Sequence, residues 1–155
     1  MERRESFEVR VPIEVAFDFF SDPSQAFERR APQFRVRWEG SIGSGSTFAI
    51  DGPNPKDRTE GVVDAYEPPR RFVARMWLTR DPQLGGTISL TFAATPEGTL
   101  VSATSSTRMG ALAELVTRVG WLILAIPARR GRNALVRGLE AEFARQGEPS
   151  GPSIT

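Results

Sequence analysis

A chain of 155 residues with 39% hydrophobic and 25% charged side chains has the size and composition of one globular domain, not of a disordered or fibrous chain. Twenty Lys and Arg against nineteen Asp and Glu leave a net charge of +1, too little to favour nucleic acid or an anionic membrane as partner. The absence of His and Cys excludes disulfides, thiol nucleophiles, thiolate or imidazole metal sites and a Ser-His-Asp triad, so any catalysis falls to carboxylates, Arg, the single Lys56, Tyr66, hydroxyls or bound water.

In chain order, Phe7, Val9 and Val11 alternate with Ser6, Glu8 and Arg10, which predicts a half-buried strand from Ser6 to Val11. Pro12 ends it and suits the first turn of a helix. Ile13, Ala16, Phe17 and Phe20 then fall on one helical stripe. Asp22 as N-cap and Pro23 at the first helical position start a second, short helix that runs to about Arg30.

From Phe34 the period changes to two. Strands are predicted for Phe34–Glu39, Thr47–Asp51, Thr59–Tyr66, Arg71–Thr79, Thr87–Ala94 and Leu100–Thr107. Turns rich in Gly, Pro, Ser and Asp separate them, with Asp81–Gly86 read as the turn before the fifth of these and Pro96-Glu97-Gly98 as a tight hairpin. After Gly110 the spacing is helical again. Leu112, Leu115, Val116, Val119, Leu122, Ile123 and Ile126 form a broad stripe that resumes at Leu135, Leu139 and Phe143, with a kink expected at Pro127.

One domain over residues 1–146 and a frayed tail over residues 147–155 are expected, without repeats or low-complexity blocks. The longest apolar run, Val119 to Ala128, is interrupted by Gly120 and Pro127 and falls short of the roughly 20 residues that cross a bilayer. No signal or lipidation motif opens the chain, so a cytoplasmic location is the expectation.

The order of strand, two short helices, six strands and a long helix is that of an antiparallel α+β domain. Its seven-stranded sheet has one apolar face, and the last helix is the one element long enough to cover it. A curved sheet wrapped around one helix either fills the space between them with its own bulky side chains or leaves a cavity for an apolar ligand.

Several segments together resemble a known family. They are Val11-Pro12-Ile13-Glu14-Val15-Ala16-Phe17-Asp18-Phe19-Phe20-Ser21-Asp22-Pro23, the turn Glu67-Pro68-Pro69-Arg70-Arg71, Gly86-Thr87 and the long last helix. Over roughly residues 4 to 145 the chain resembles the polyketide cyclase/dehydrase and lipid-transport superfamily, START-like or SRPBCC, with its helix-grip fold. The resemblance implies a seven-stranded curved antiparallel sheet around a long C-terminal helix, with two short helices after the first strand. It leaves activity open, because members include lipid carriers, polyketide aromatase/cyclases, quinone-binding proteins, plant hormone receptors and chaperone activators.

The apolar residues expected to line a cavity are Phe34, Trp38, Phe48, Met76, Leu78, Leu90 and Phe92 from the strands and Leu115, Val119 and Ile123 from the helix. Each by itself also reads as ordinary core. The polar candidates are Tyr66, Arg75 and Asp64. Tyr66 offers a hydrogen bond to a ligand carbonyl or a cap for the strand end. Arg75 offers a clamp for a carboxylate or enolate, although its strand parity favours solvent. Asp64 and Glu60 share a face and suit acid/base work if buried, or cross-strand ion pairs with Arg71 or Arg75 if exposed; the second is favoured. Ser105, Thr107 and Thr104 supply hydroxyls, Trp77 falls on the outer parity, and Trp121 suits the mouth of a cavity or the helix exterior. The cluster Arg129-Arg130-Gly131-Arg132 reads as charge near a helix C-terminus or a solvated surface.

No metal or cofactor is implied. A carrier or binding protein for a lipid, isoprenoid, quinone or polyketide is the leading expectation. A polyketide aromatase/cyclase or dehydratase working without His or Cys is the alternative, and a protein-interaction module built on the surface around Trp77 and Arg75 is a third. The oligomeric state is not encoded in any pattern found.

Overall fold

The computed structural model of the chain describes residues 2–28, 32–108 and 129–147. Its elements are β1 (Glu2–Val9), α1 (Ile13–Ser21), α2 (Pro23–Phe27), β2 (Arg35–Glu39), β3 (Thr47–Asp51), a 3-10 turn at Pro55–Asp57, β4 (Thr59–Glu67), β5 (Arg71–Leu78), β6 (Asp81–Thr95), β7 (Gly98–Arg108) and α3 (Arg129–Gln146). The strands form one antiparallel sheet in the order β1-β7-β6-β5-β4-β3-β2, so β1 and β2, neighbours in sequence, stand at opposite edges. Helices α1 and α2 connect these two edges.

The Asp22 cap is as predicted, whereas Pro12, expected in the first helical turn, is the N-cap residue one position earlier. Pro12 precedes α1, and its carbonyl accepts the first helical hydrogen bond, from Ala16 at 3.0 Å. The Asp22 carboxylate accepts from the backbone N–H of Ser24 at 3.0 Å and from its hydroxyl at 2.7 Å, with Pro23 at the first position of α2. One face of α1 buries Ala16, Phe17 and Phe20, with Phe19 added to the expected stripe.

Three features of the sheet depart most from expectation. First, β1 begins at Glu2, because Glu2 to Glu5 pair in register with Ser106 to Ala103 despite having no apolar residue. Second, the β5–β6 hairpin turns at Thr79-Arg80, and Asp81–Gly86 belongs to the strand. Gly85 and Gly86, read as turn residues, instead lie where neighbouring backbones come close: a Cβ on Gly85 would sit 2.4 Å from the Met76 carbonyl oxygen. Third, a bulge in β4 between Val63 and Ala65 reverses the facing of the strand, so Thr59, Gly61 and Val63 share the inner face with Tyr66.

The core lies on the concave face. Phe17 of α1 meets Tyr66 and Phe92 edge-on, each at 5.3 Å between ring centres, and Phe7 meets Phe20 at 5.5 Å. Phe72, Ile88, Val101, Val63 and Ile50 are fully buried beneath them. Leu135 and Leu139 of α3 join the same core, and Glu140 fixes the helix to the end of β1 by accepting the Arg10 backbone N–H at 2.8 Å. The expected helix upstream of α3, with Leu112 to Ile126 and the Pro127 kink, lies outside the described residues, as do Trp121 and the tail beyond residue 147. The basic cluster at residues 129–132 opens α3, and the upstream helix end beside which it was expected lies outside the described residues.

Candidate functional site

Cross-strand partners in an antiparallel sheet point to the same side, so the register defines what the concave face displays. One row runs Trp38, Phe48, Gly61, Met76, Gly86, Thr107 across six strands. A second runs Val63, Ala74, Ile88, Ser105, Arg3, and a third runs Tyr66, Phe72, Leu90, Ala103, Glu5.

The first row is notable for its glycines. The tip of the Phe48 ring reaches over Gly61, whose Cβ would stand 2.3 Å from the ring's Cζ, so the missing side chain is what seats the aromatic. Trp38 leans on Phe48 at 4.9 Å and donates its indole N–H to Asp22 Oδ1 at 3.2 Å, tying β2 to the α1–α2 junction. Gly86 leaves bare backbone between Met76 and Thr107.

The expected lining residues of β2, β3, β5 and β6 fall on the concave parity, and Phe34 stands just before β2. Phe34, Phe48, Met76, Leu90 and Phe92 are buried in the main cluster and Trp38 packs against it. Leu78 is buried with Leu84 in a separate small cluster at the β5–β6 hairpin end. Leu115, Val119 and Ile123, expected from the helix, lie outside the described residues.

The polar candidates separate by face. Tyr66 is inward and half-buried, packed on Phe17, with its backbone N–H on Ser44 Oγ at 3.0 Å. Burial, reinforced by the nearby Asp18 and Asp22 carboxylates, raises its phenol above the usual value of 10.0, so it keeps its proton at neutral pH with a wider margin than an exposed tyrosine. Arg75 and Asp64 stand on the convex face, where the guanidinium grips the carboxylate through Nε at 2.6 Å and Nη2 at 2.8 Å. That hydrogen bond, ahead of simple charge attraction, lowers the Asp64 carboxyl and raises Arg75. The exposed cross-strand pairing is therefore what these two residues do, as parity favoured. Glu60 lies on the same face near Arg58, at 3.7 Å. Ser105 and Thr107 face inward, and Thr104, paired with Ser89 and Arg4, faces outward.

Two inward charges escaped the sequence reading. Extending the β1 alternation back from Val9 and Phe7 puts Glu5 and Arg3 on the concave side, opposite Ala103 and Ser105. Arg3 Nη2 donates to Glu5 Oε1. The Glu5 side chain is 17% exposed and Arg3 47%. Strict period two was the available signal; the lack of any apolar residue in Glu2 to Glu5 obscured it.

Elsewhere, an open cleft of about 420 Å³ is lined by Ser24, Gln25, Glu28 and Arg35. Its polar groups serve the fold: Glu28 accepts the Val36 N–H at 2.9 Å, and Arg35 donates to the carbonyls of Pro32 and Phe34. Trp77 is half-buried beside the paired Arg75, and Phe143 of α3 is the exposed large apolar side chain among the described residues. Among those residues no group of acidic side chains is arranged to hold a metal, and no helix is long and apolar enough to cross a membrane.

A seven-stranded antiparallel sheet curved over a C-terminal helix, with a few further helices, is the helix-grip architecture. The chain belongs to the polyketide cyclase / dehydrase and lipid transport family, whose model matches residues 2–144. Among solved structures it is similar to Ara h 8.0201, with 13% identity, 94% of this chain and 98% of that chain covered, and a TM-score of 0.65. It is similar also to protein MLL2253 from Mesorhizobium loti, with 18% identity, 96% and 100% covered, and a TM-score of 0.64. The di-domain ARO/CYC StfQ from the steffimycin biosynthetic pathway matches with 18% identity over 93% of this chain and 51% of its own, at a TM-score of 0.65. Identities this low carry the fold alone. No curated protein matches the sequence.

Proposed function

We propose that this chain binds a hydrophobic small molecule between the concave face of the sheet and the C-terminal helix, as a carrier or binding protein for a lipid, isoprenoid, quinone or polyketide. The observation that carries this reading is the concave face itself, on which Trp38, Phe48, Met76, Leu90 and Phe92 gather large apolar side chains on one side of the sheet. A broad apolar sheet face of this kind suits an apolar guest held against it. Phe34, Trp38, Phe48, Met76, Leu78, Leu90 and Phe92 supply the sheet wall, and Leu115, Val119 and Ile123, expected to complete it, lie outside the described residues. A cytoplasmic location accords with this role. Native mass spectrometry of the protein expressed in a bacterial host, with N-phenyl-1-naphthylamine as a fluorescent probe, tests it. A retained apolar mass or saturable dye binding supports it; a chain that neither retains nor takes up any apolar molecule sinks it.

The family's description and the inward Tyr66 favour a second reading, a polyketide aromatase/cyclase or dehydratase. A protonated phenol at the pocket wall would hold a ligand carbonyl, and confinement of a flexible poly-ketone would supply much of the rate. Arg75 and Asp64 take no part, being paired on the convex face. Under this reading Tyr66→Phe abolishes turnover of a poly-ketone substrate and leaves ligand retention intact; full activity in that variant removes Tyr66 from the mechanism.

A further inference from the structure

We propose that the loop between β2 and β3, residues 40–46, is a positioning element of the ligand site: by clasping the β4 bulge it aims Tyr66 into the cavity, which thereby selects apolar molecules that carry a carbonyl oxygen. The inference rests on the ligand-binding reading and assigns its specificity. Strand parity is the starting point. Thr59, Gly61 and Val63 occupy the concave side of β4, so an unbroken strand would send residue 66 to the convex side with Glu60 and Val62. The extra residue at Asp64 is what turns Tyr66 inward, and sliding the bulge out of the strand would flip it.

A bulge disrupts the ladder and leaves backbone groups that need other partners. Regular β3–β4 pairing stops at Thr47 and Val62, just short of the bulge. From there the loop supplies partners on both sides of Asp64. Before it, Val63 donates its N–H to the Ser46 carbonyl at 2.9 Å and accepts from the Gly45 N–H at 2.7 Å. After it, the Tyr66 N–H reaches the Ser44 hydroxyl oxygen at 3.0 Å, a side chain standing in for a strand that has ended. The loop is braced from within, since the Ser46 hydroxyl accepts the Gly43 N–H at 2.9 Å and donates to the Ser41 carbonyl at 2.7 Å. Gly45 takes a φ of +85°, a left-handed conformation that glycine adopts without steric cost. The Tyr66 ring so placed meets Phe17 on the concave side, and among the described residues its hydroxyl has no hydrogen-bond partner. A phenol donates to a carbonyl oxygen, whereas an alkyl group of the same shape leaves it unpaired.

Displacement of N-phenyl-1-naphthylamine by 2-acetylnaphthalene and by 2-ethylnaphthalene, similar in shape but with and without a carbonyl, tests the assignment on the full chain. The preference for the acetyl probe should be about fivefold greater in the wild type than in Tyr66→Phe, the effect of one hydrogen bond. Gly45→Ala and Ser44→Ala should each bring that preference to within about twofold of the Tyr66→Phe value. Both should also lower the ultraviolet titration midpoint of the single tyrosine toward the ordinary 10.0. Ser44→Thr, which keeps the hydroxyl, should behave as the wild type. Gly40→Ala is the control, because its φ of +81° strains alanine equally, its Cβ likewise meets nothing within 4 Å, and it lies at the β2 end of the loop. It should destabilise the chain as Gly45→Ala does, yet leave preference and midpoint at their wild-type values. Equal shifts in the two glycine variants would mean that the loop acts through stability alone, and would overturn the proposal. Wild-type values in both Ser44→Ala and Gly45→Ala would overturn it too. If Gly45→Ala does not fold, Ser44→Ala, which strains no backbone, decides alone. Equal preference in the wild type and Tyr66→Phe would strike out the carbonyl selection. A wild type that binds neither dye nor probes would overturn the ligand-binding reading itself, while the tyrosine midpoint would still judge the clasp.

Discussion

Two arginine–carboxylate pairs stand on opposite faces of the same sheet. Arg75–Asp64 is bidentate, at 2.6 and 2.8 Å, with the arginine side chain 58% exposed on the convex side. Arg3–Glu5 joins residues two apart on one strand, on the concave side, with the glutamate 17% exposed. By geometry alone the first is the better ion pair, yet solvent screens it, and surface pairs of this kind contribute little. What separates the two is which way strand parity and one bulge point them. A charged residue in a sheet acquires its meaning from its face before its chemistry.

The concave side should respond to substitution most strongly. Phe17→Ala removes the ring that Tyr66 and Phe92 pack against and should cost about 3–5 kcal/mol, read by chemical denaturation. A loss below about 1 kcal/mol would show that this end of the core is loosely filled. Gly61→Ala comes next. Its Cβ would overlap the Phe48 ring and displace it toward Trp38, with an expected loss of about 1–3 kcal/mol. Quenched or shifted Trp fluorescence should accompany it, and a neutral substitution would place the Phe48 ring elsewhere.

How much of this was legible in the sequence follows from the same parity rule. Phe72, Ala74, Met76 and Leu78 alternate without interruption, so β5 and the outward facing of Arg75 could be read directly. Asp22-Pro23 announced its cap because both positions carry residues whose chemistry fits them. Tyr66 could not be placed by counting, because the bulge at Asp64 shifts the strand by one residue and leaves no mark in residue type. Gly85-Gly86 carries the signature of a turn, and long-range contact with Met76 and Thr107 overrides it. Glu5 and Arg3 were hidden because a strand whose inward residues are charged offers no hydrophobic period to detect.

Tyr66 gives a finer test, since it is the single tyrosine of the chain and its ultraviolet titration reports one group. Its folded pKa lies above the ordinary 10.0, so the protonated phenol contributes stability that is complete below pH 10 and disappears as pH rises through the folded value. Absorbance at alkaline pH should therefore show a midpoint above 10 in the folded chain, and Asp18→Asn should bring it part of the way down. A midpoint at the ordinary value would mean the phenol is in water. The smallest effect belongs to the convex face. Asp64→Asn should leave the melting temperature unchanged within error at pH 7, and any contribution the carboxylate does make should fade as pH falls through its lowered pKa. A large loss there would erase the contrast between the two pairs.

The sheet order carries a consequence for how the chain is made. β1 precedes the other described strands in the chain, but among them its neighbour in the sheet is β7, and the hydroxyls of Ser6 and Ser102, at 3.0 Å, are 96 positions apart. While the ribosome is still working on the intervening hairpins, the first strand has no edge to join. Closure must wait until β7 has been translated, and the slow, late zipping of the first described strand onto the last is where this chain is most exposed to aggregation during its birth.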